Sequence, residues 1–446
     1  MSSQAPNREV SRIPAQSTDF GQQSIRGLIR ILALLYTLLI IYGSLYPFSG
    51  WSHASSPLFS FLTAPIPDHL SRPDVLTNVF AYIPLGVLLV TGFRLRSGTM
   101  SVVMATTLGA VLSFAMESVQ MFLPARISSN IDLTTNIAGT LIGAVLALAV
   151  RQDTLFRLSL RRTREEWFEP GLATDIALFA VALWVGSQLC PFVPSMDVSS
   201  VREGLAPLRN LLNPTSFLPA KCAAYGFSIA GLGLLTMVVA RRKVRLTYLA
   251  LAGLVLCLKP AIVTRQISPE SLCGLGLAAV MLLIAPRTKP AQTLLAMFCI
   301  LSGFIAAELY GVAGGGLHPF NWIPFAVQLD ETVSGMQSIL ENLWPFVALA
   351  SLSILGFGRK RLPMVGLGGI LVLLVLSLEW MQTGIEGRYG NITTVMTAAV
   401  GWFFPWLFFL AVQPAPAVTS GSARRRRSRH AEWHTDESST PEITST

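Results

Sequence analysis

Long apolar runs recur along this chain from residue 28 to residue 412 and leave few choices of fold. Most of them approach the roughly 20 residues that a helix needs to cross about 30 Å of hydrocarbon. A closed barrel would instead need shorter strands of alternating polarity. We therefore expect an all-α polytopic transmembrane helix bundle with about 12 spans. The runs cover 28–46, 76–93, 101–123, 131–150, 173–190, 220–240, 246–263, 270–285, 293–313, 341–357, 363–383 and 392–412.

The composition supports a membrane protein and argues against other classes. Of the 446 residues, 52% are hydrophobic and only 13% are charged, whereas soluble domains carry about 25% charged residues. The net charge of +9 comes from short basic clusters between apolar runs, without a nucleic-acid recognition motif. The five cysteines form no CxxC pair. We expect no nucleic-acid partner, no cofactor and no metal.

The basic clusters also predict the orientation of the chain. Cytoplasmic loops hold an excess of Lys and Arg, and the clusters follow alternate apolar runs, as at 94–96, 151–164, 241–245 and 424–427. This alternation requires an even number of spans, so we expect both termini in the cytoplasm. The polar segments 1–27 and 413–446 are expected to be disordered cytoplasmic ends.

The apolar runs fall into three units of four spans each, at 28–150, 173–285 and 293–412. The first span of each unit is expected to end at a Pro-Phe pair. Such duplication of a helix bundle is common in membrane proteins. The Pro-Phe pairs lie in SLYPF (44–48), QLCPF (188–192) and HPFNWIPF (318–325).

Polar residues of the third span and of the turn after it repeat at fixed spacing in the first and third units. The first unit has Glu117, Gln120 and Arg126, and the third has Glu379, Gln382 and Arg388. The second unit has Lys259 and Ile262 where Glu and Gln are expected, and a shortened turn with Arg265. We interpret the second unit as degenerate. Because Lys259 lies near a membrane surface, its long side chain is expected to reach water.

Ionisable residues at the outer ends of the spans are the candidates for a site, because burying a charge in the bilayer costs from about 2.5 to more than 10 kcal/mol. Glu117 and Gln120 share one helix face, and Asp132 lies in a first helical turn, where an anion is favoured. These groups form either a structural ion-pair cluster or a binding pocket. The candidate binding residues are Asn78, Glu117, Gln120, Arg126, Asp132 and Asn136; the secondary candidates are Asn342, Glu379, Gln382 and Arg388.

One order of motifs resembles a known family. TNVFAYIPLG (77–86), then ESVQ (117–120), then Arg126, then DLTTNIAGTLIG (132–143) is similar to the VanZ-like family of bacterial membrane proteins. The first unit carries nearly all of the resemblance. The third unit matches in part, and it has Thr394 and Ala398 in place of Asp132 and Asn136.

The resemblance implies a multi-pass protein of the bacterial inner (cytoplasmic) membrane. The founding member of the family is associated with low-level teicoplanin resistance. The first functional hypothesis is therefore binding of a cell-wall precursor, a lipid-linked glycan or a glycopeptide at the outer face of the bilayer.

Two alternatives stay open. One is a transporter or lipid flippase, which the repeats and the intramembrane charges suggest. The other is an intramembrane enzyme that acts on a lipid headgroup with Glu117 or Asp132 as general base. The sequence has no HExxH or Gly-x-Ser-x-Gly signature to support an enzyme.

Overall fold

The computed structural model describes residues 16–54, 57–65, 72–93, 95, 97–151, 155–195, 197–210, 217–310, 316–330 and 332–412. Within these ranges the chain forms α-helices and short 3-10 turns, and no strands. The all-α prediction is therefore confirmed. The helices are α1 (Gln16–Leu45), α2 (Arg72–Gly92), α3 (Gly98–Gln120), α4 (Asn130–Arg151), α5 (Leu155–Trp167), α6 (Leu172–Leu189), α7 (Val198–Leu205), α8 (Pro219–Val239), α9 (Arg245–Leu258), α10 (Pro269–Leu283), α11 (Lys289–Leu309), α12 (Ala326–Asp330), α13 (Thr332–Phe357), α14 (Arg361–Gln382) and α15 (Ile392–Ala411).

The chain divides into two compact bodies. Arg26–Leu410 forms the large one, and of the other the structure describes only residues 16–25 and 411–412. The predicted disordered tail 413–446 lies outside the described residues, as do residues 1–15 of the predicted disordered N-terminus. Residues 16–27 of that N-terminus are helical instead. Once a helix is nucleated in the apolar run, each added residue gains a backbone hydrogen bond, so α1 extends beyond the run.

Ten of the described helices are long and apolar enough to cross a bilayer. The two remaining predicted spans correspond to α9, with 14 residues, and α10, with 15 residues. A 14-residue helix is only about 21 Å long, which is shorter than the hydrocarbon layer. The total of twelve spans thus stays a prediction. Because α9 and α10 are consecutive, the orientation of the other helices is the same whether both cross the membrane or neither does.

The first unit has its own small core, whereas the second and third units share one. Tyr82, Leu85 and Ala144 are buried among α2, α3 and α4. A much larger core joins α6, α8, α9, α10, α11, α13, α14 and α15. In it α6 packs on α13 and α8 packs on α11, so each unit contributes to the packing of the other.

Small residues bring these helices close together. A Cβ atom at Gly303 of α11 would lie 2.9 Å from Ser228 N of α8, and one at Gly231 of α8 would lie 3.0 Å from Ile300 N of α11. Such close approach supports helix association in lipid, where the hydrophobic effect does not drive it.

Large apolar side chains cover the outside of the bundle. Leu34 is 60% exposed, Leu294 is 70% exposed and Leu362 is 84% exposed. Such a surface would be a liability in water but suits contact with lipid tails. The chain is a multi-pass membrane protein.

Charged residues gather at one end of the bundle, which we call the basic end, where α5 lies, α6 begins and α8 ends. Arg164 Nη2 lies 2.7 Å from Asp175 Oδ1. Glu169 lies 3.4 Å from both Arg241 and Lys289, and the hydrogen bond from Lys289 lowers the pKa of the Glu169 carboxyl. The other end of the bundle, where α6, α11 and α14 end, holds the candidate site residues.

Candidate functional site

Arg126 follows α3 and holds the end of α1. Its Nε donates to Tyr46 O at 2.8 Å and its Nη2 donates to Gly43 O at 3.1 Å. Carbonyls in the last turn of a helix have no partner within the helix, so the guanidinium satisfies two of them. Arg126 therefore does not form the ion pair with Glu117 that one interpretation of the sequence predicted.

Glu117 and Gln120 also bind backbone groups. Glu117 is 3% exposed, and its Oε2 accepts a hydrogen bond from Ser129 N at 2.8 Å. Gln120 Nε2 donates to Ser44 O at 2.8 Å. The two side chains thus fix the loop before α4 and the end of α1 to the last turn of α3.

The other first-unit candidates connect α2, α3 and α4. Asn78 Nδ2 donates to Asp132 Oδ1 at 2.8 Å, and Asn136 Nδ2 donates to Ser113 Oγ at 3.0 Å. Among the residues that the structure describes, Asn136 Oδ1 has no hydrogen-bond partner. The six candidates are brought together at one end of the first unit, and the binding role predicted for them stays a prediction.

The same arginine contact recurs in the other two units. Arg265 donates to Cys190 O and Ser187 O, and Arg388 donates to Tyr310 O and Ala307 O. This pattern corrects the expected end of the first span in the third unit. That span, α11, ends at Leu309 and not at the Pro-Phe pairs of 318–325. Tyr310 corresponds to Tyr46, but Gly311 and not a Pro-Phe pair follows it. The Pro-Phe pairs of the third unit therefore lie later, in the connection after α11.

The contact between the third and first helices of each unit also recurs, with different chemistry. Gln382 Nε2 donates to Glu308 Oε2 at 2.5 Å. In the second unit, Lys259 Nζ donates to Gln188 Oε1 at 3.3 Å and to Tyr225 OH at 3.1 Å.

Lys259 therefore corrects two expectations. Its contact with the end of the first helix gives it the role of Gln120 and Gln382, not that of Glu117. It does not reach water either, because it is only 5% exposed. The protein supplies its amine with an amide oxygen, a phenol and the ring of Tyr225, whose centroid is 5.2 Å away.

A polar bridge joins the second and fourth helices in each unit, near the end of the bundle that holds the candidate residues. Asn78 and Asp132 form it in the first unit. Lys221 Nζ lies 3.7 Å from Glu270 Oε2 in the second, and Asn342 Nδ2 lies 3.3 Å from Thr394 Oγ1 in the third. Glu379 repeats the contact of Glu117, since its Oε2 accepts from Asn391 N at 2.7 Å.

A cavity of about 350 Å³ lies between the second and third units at the end opposite the basic end. All four secondary candidates line it: Asn342, Glu379, Gln382 and Arg388. The six first-unit candidates do not. The cavity is therefore the best candidate site of the described structure.

The cavity has carboxyl, amide and aromatic walls. Several of its residues were not predicted from the sequence, because they stand alone in apolar runs or in connections. Glu341 could have been found from the sequence, because it is an acid at the start of an apolar run. Burial raises the pKa of the Tyr310 phenol above its ordinary value, so this group stays neutral. The residues missed include Gln188, Tyr225, Glu308, Gln328 and Glu341.

Comparison with known proteins identifies one segment. Residues 28–151 match the family model described as VanZ/LLP1. The matched residues form the first unit and less than a third of the chain. No curated protein and no solved structure matches the chain. The family match agrees with the resemblance of the first-unit motifs. The chain is thus a multi-pass membrane protein in which residues 28–151 form a VanZ-like segment.

Proposed function

We propose that this VanZ-like membrane protein of the cell envelope binds the polar part of a cell-wall precursor, a lipid-linked glycan or a glycopeptide in the cavity between its second and third units. The observation that carries the proposal is the cavity itself. Its volume of about 350 Å³ is in the range of small-molecule sites. The amides, carboxyls and aromatic rings that line it suit a ligand with many hydroxyl and amide groups.

The position of the cavity supports binding from the outer face of a bacterial inner membrane. The ion pairs of α5 and its neighbours mark the opposite end of the bundle. The positive-inside rule assigns that basic end to the cytoplasm. With twelve spans, α9 and α10 included, both termini are then cytoplasmic and the cavity opens toward the cell wall. Its polar groups lie near one surface and not near the midplane, which favours binding over alternating-access transport.

We further infer that the three units descend from one four-helix unit. The arginine contact, the contact of the third helix with the first, and the bridge between the second and fourth helices all recur. In this view 173–285 is a degenerate unit and 293–412 a partial one. Their divergence from the VanZ-like pattern accompanies the cavity, which none of the six first-unit candidates lines.

The recurrence provides a matched control for a binding experiment. Asn342→Ala alters the cavity, whereas Asn78→Ala alters the corresponding position of the first unit. Each purified protein is reconstituted in nanodiscs and titrated with teicoplanin and with a soluble N-acetylglucosamine–N-acetylmuramyl pentapeptide. We expect binding that only Asn342→Ala weakens. No binding by the unaltered protein, or equal weakening by both variants, would contradict the proposal.

Expression in a teicoplanin-sensitive bacterium tests the contribution to resistance. We expect the unaltered protein to reduce susceptibility and the Asn342→Ala variant to lose this effect at an equal amount in the membrane. Unchanged susceptibility with the unaltered protein would separate binding from resistance and remove resistance from the proposed function.

A further inference from the structure

We propose that the cavity selects its ligand through a protonated amine. This inference rests on the proposed function, because it concerns the same cavity. Three carboxyl groups line one enclosed space, and they come from three different helices, α11, α13 and α14. They belong to Glu308, Glu341 and Glu379.

The direct hydrogen-bond partners of these carboxyl groups are all neutral. Among the described residues, no salt bridge joins any of the three to a cation. A carboxylate outside water needs more than one neutral donor to offset its lost hydration. The hydrogen bonds are Gln382 Nε2 to Glu308 at 2.5 Å, Gln337 Nε2 to Glu341 at 2.6 Å and Asn391 N to Glu379 at 2.7 Å.

The cationic side chains nearby use their donors elsewhere. Lys259 donates to Gln188 and Tyr225, and Arg265 donates to two backbone carbonyls. Lys221, which lines the cavity, lies 3.7 Å from Glu270. The donors of Arg388 bind backbone carbonyls, and its guanidinium lies 4.6 Å from the centroid of the Tyr310 ring. The protein thus places positive charge around the cavity without placing a charged donor on these carboxylates.

An independent observation points to a missing donor. Gln328 also lines the cavity. It is 7% exposed, and its Oε1 has no hydrogen-bond partner among the described residues. Buried amide oxygens are nearly always paired. An ammonium group carries three donors and no acceptor, so it would supply this oxygen and two of the carboxylates, and its charge would act on the third.

The lining of the cavity favours an organic cation over a metal ion. In the described part of the chain, no cluster of His, Cys, Asp and Glu side chains is arranged to hold a metal ion. The cavity instead has room for a group larger than an ion. An amino sugar and an ethanolamine headgroup share the required ammonium, one on a soluble or lipid-linked glycan and the other on a bilayer lipid.

Two pairs of probes test the amine and separate its sources. Glucosamine is compared with N-acetylglucosamine, which has the same ring without a charge. Nanodiscs with phosphatidylethanolamine are compared with phosphatidylglycerol nanodiscs by thermal unfolding of the full chain. We expect about tenfold tighter binding of the amine in one pair, and the pair that shows the preference identifies the source.

Glu379→Gln and Glu341→Gln remove charge but keep an acceptor, and each should abolish the preference. Glu117→Gln is the matched control, since Glu117 makes the contact of Glu379 away from the cavity. If Glu379→Gln does not fold, Glu341→Gln alone decides.

Equal binding of amine and neutral probes in both pairs would overturn the amine proposal. In that case, binding that Asn342→Ala still weakens would leave the proposed function standing. Loss of all binding would remove both.

Discussion

At the scale of single residues, three arginines satisfy helix ends instead of pairing with acids. Arg126, Arg265 and Arg388 each direct the guanidinium at two carbonyls that lie three residues apart. In or near lipid, water is not available to donate hydrogen bonds to these carbonyls. A planar guanidinium with several donors can supply both hydrogen bonds. Lysine carries the same charge but lacks the planar, fork-shaped guanidinium that can donate to two carbonyls at once.

Arg126→Lys should therefore destabilise the protein, although it keeps the charge. We expect a loss of roughly 1–3 kcal/mol for the carbonyl that lysine leaves unpaired. Thermal unfolding in detergent measures it. Arg162→Lys, on the exposed face of α5, is the control and should leave the unfolding temperature unchanged. A similar shift in both variants would show that the fork is not required.

Lys259 and Glu341 provide a second test at this scale. Lys259 donates to Gln188 and Tyr225, which line the cavity together with Glu341. Lys259→Gln should lower the unfolding temperature, because Glu341 loses a nearby cation. Glu341→Gln in the same chain should restore part of the loss, with a coupling energy of about 0.5–3 kcal/mol. Additive effects in this double-mutant cycle would mean that the two groups act independently.

At the scale of helices, α2 and α4 are in contact along a line of glycines. A Cβ atom at Gly139 would lie 2.3 Å from Val79 O, and one at Gly143 would lie 2.0 Å from Ile83 O. These approaches allow the bridge between Asn78 and Asp132 to form, since a wider separation would put the two side chains out of reach.

Gly139→Ala should separate the two helices. We expect a destabilisation of about 1–3 kcal/mol, as for overpacked cores, measured by thermal unfolding. Gly366→Ala in α14 is the control, because a Cβ atom there would meet nothing within 4 Å, and alanine favours a helix over glycine. Equal stability of the two variants would show that the approach of α2 and α4 is not tight.

The sequence predicted the helices better than the cavity, for a physical reason. An apolar run is local, so the runs 76–93 and 363–383 closely match α2 and α14. Helix α5 has no apolar run and was not predicted. Spacing within one helix also found Glu379 and Gln382. Gln328 and Glu341 reach the cavity only because α8 packs on α11 and α6 on α13, and no local pattern records such packing.

At the scale of the whole molecule, the VanZ-like first unit has a core separate from the one that the second and third units share. The second and third units share a core and enclose the cavity, while the first unit keeps the family pattern and its own core. The pattern that identifies the family and the cavity that suits a ligand thus lie in different parts of one chain. Function then depends on which side of the membrane the cavity faces.

Sidedness can be measured with two introduced cysteines. Val198→Cys places a thiol on α7, where Val198 is 73% exposed in the connection between α6 and α8. Thr163→Cys places one on the basic helix α5 at the other end. In a chain whose five native cysteines are replaced by alanine, a membrane-impermeant maleimide on intact cells should label only the first variant, because the positive-inside rule assigns α5 to the cytoplasm. The second should be labelled only after the membrane is opened. The reverse pattern would turn the cavity toward the cytoplasm, where no assembled cell wall exists, and would exclude an outward-facing site for glycans or glycopeptides.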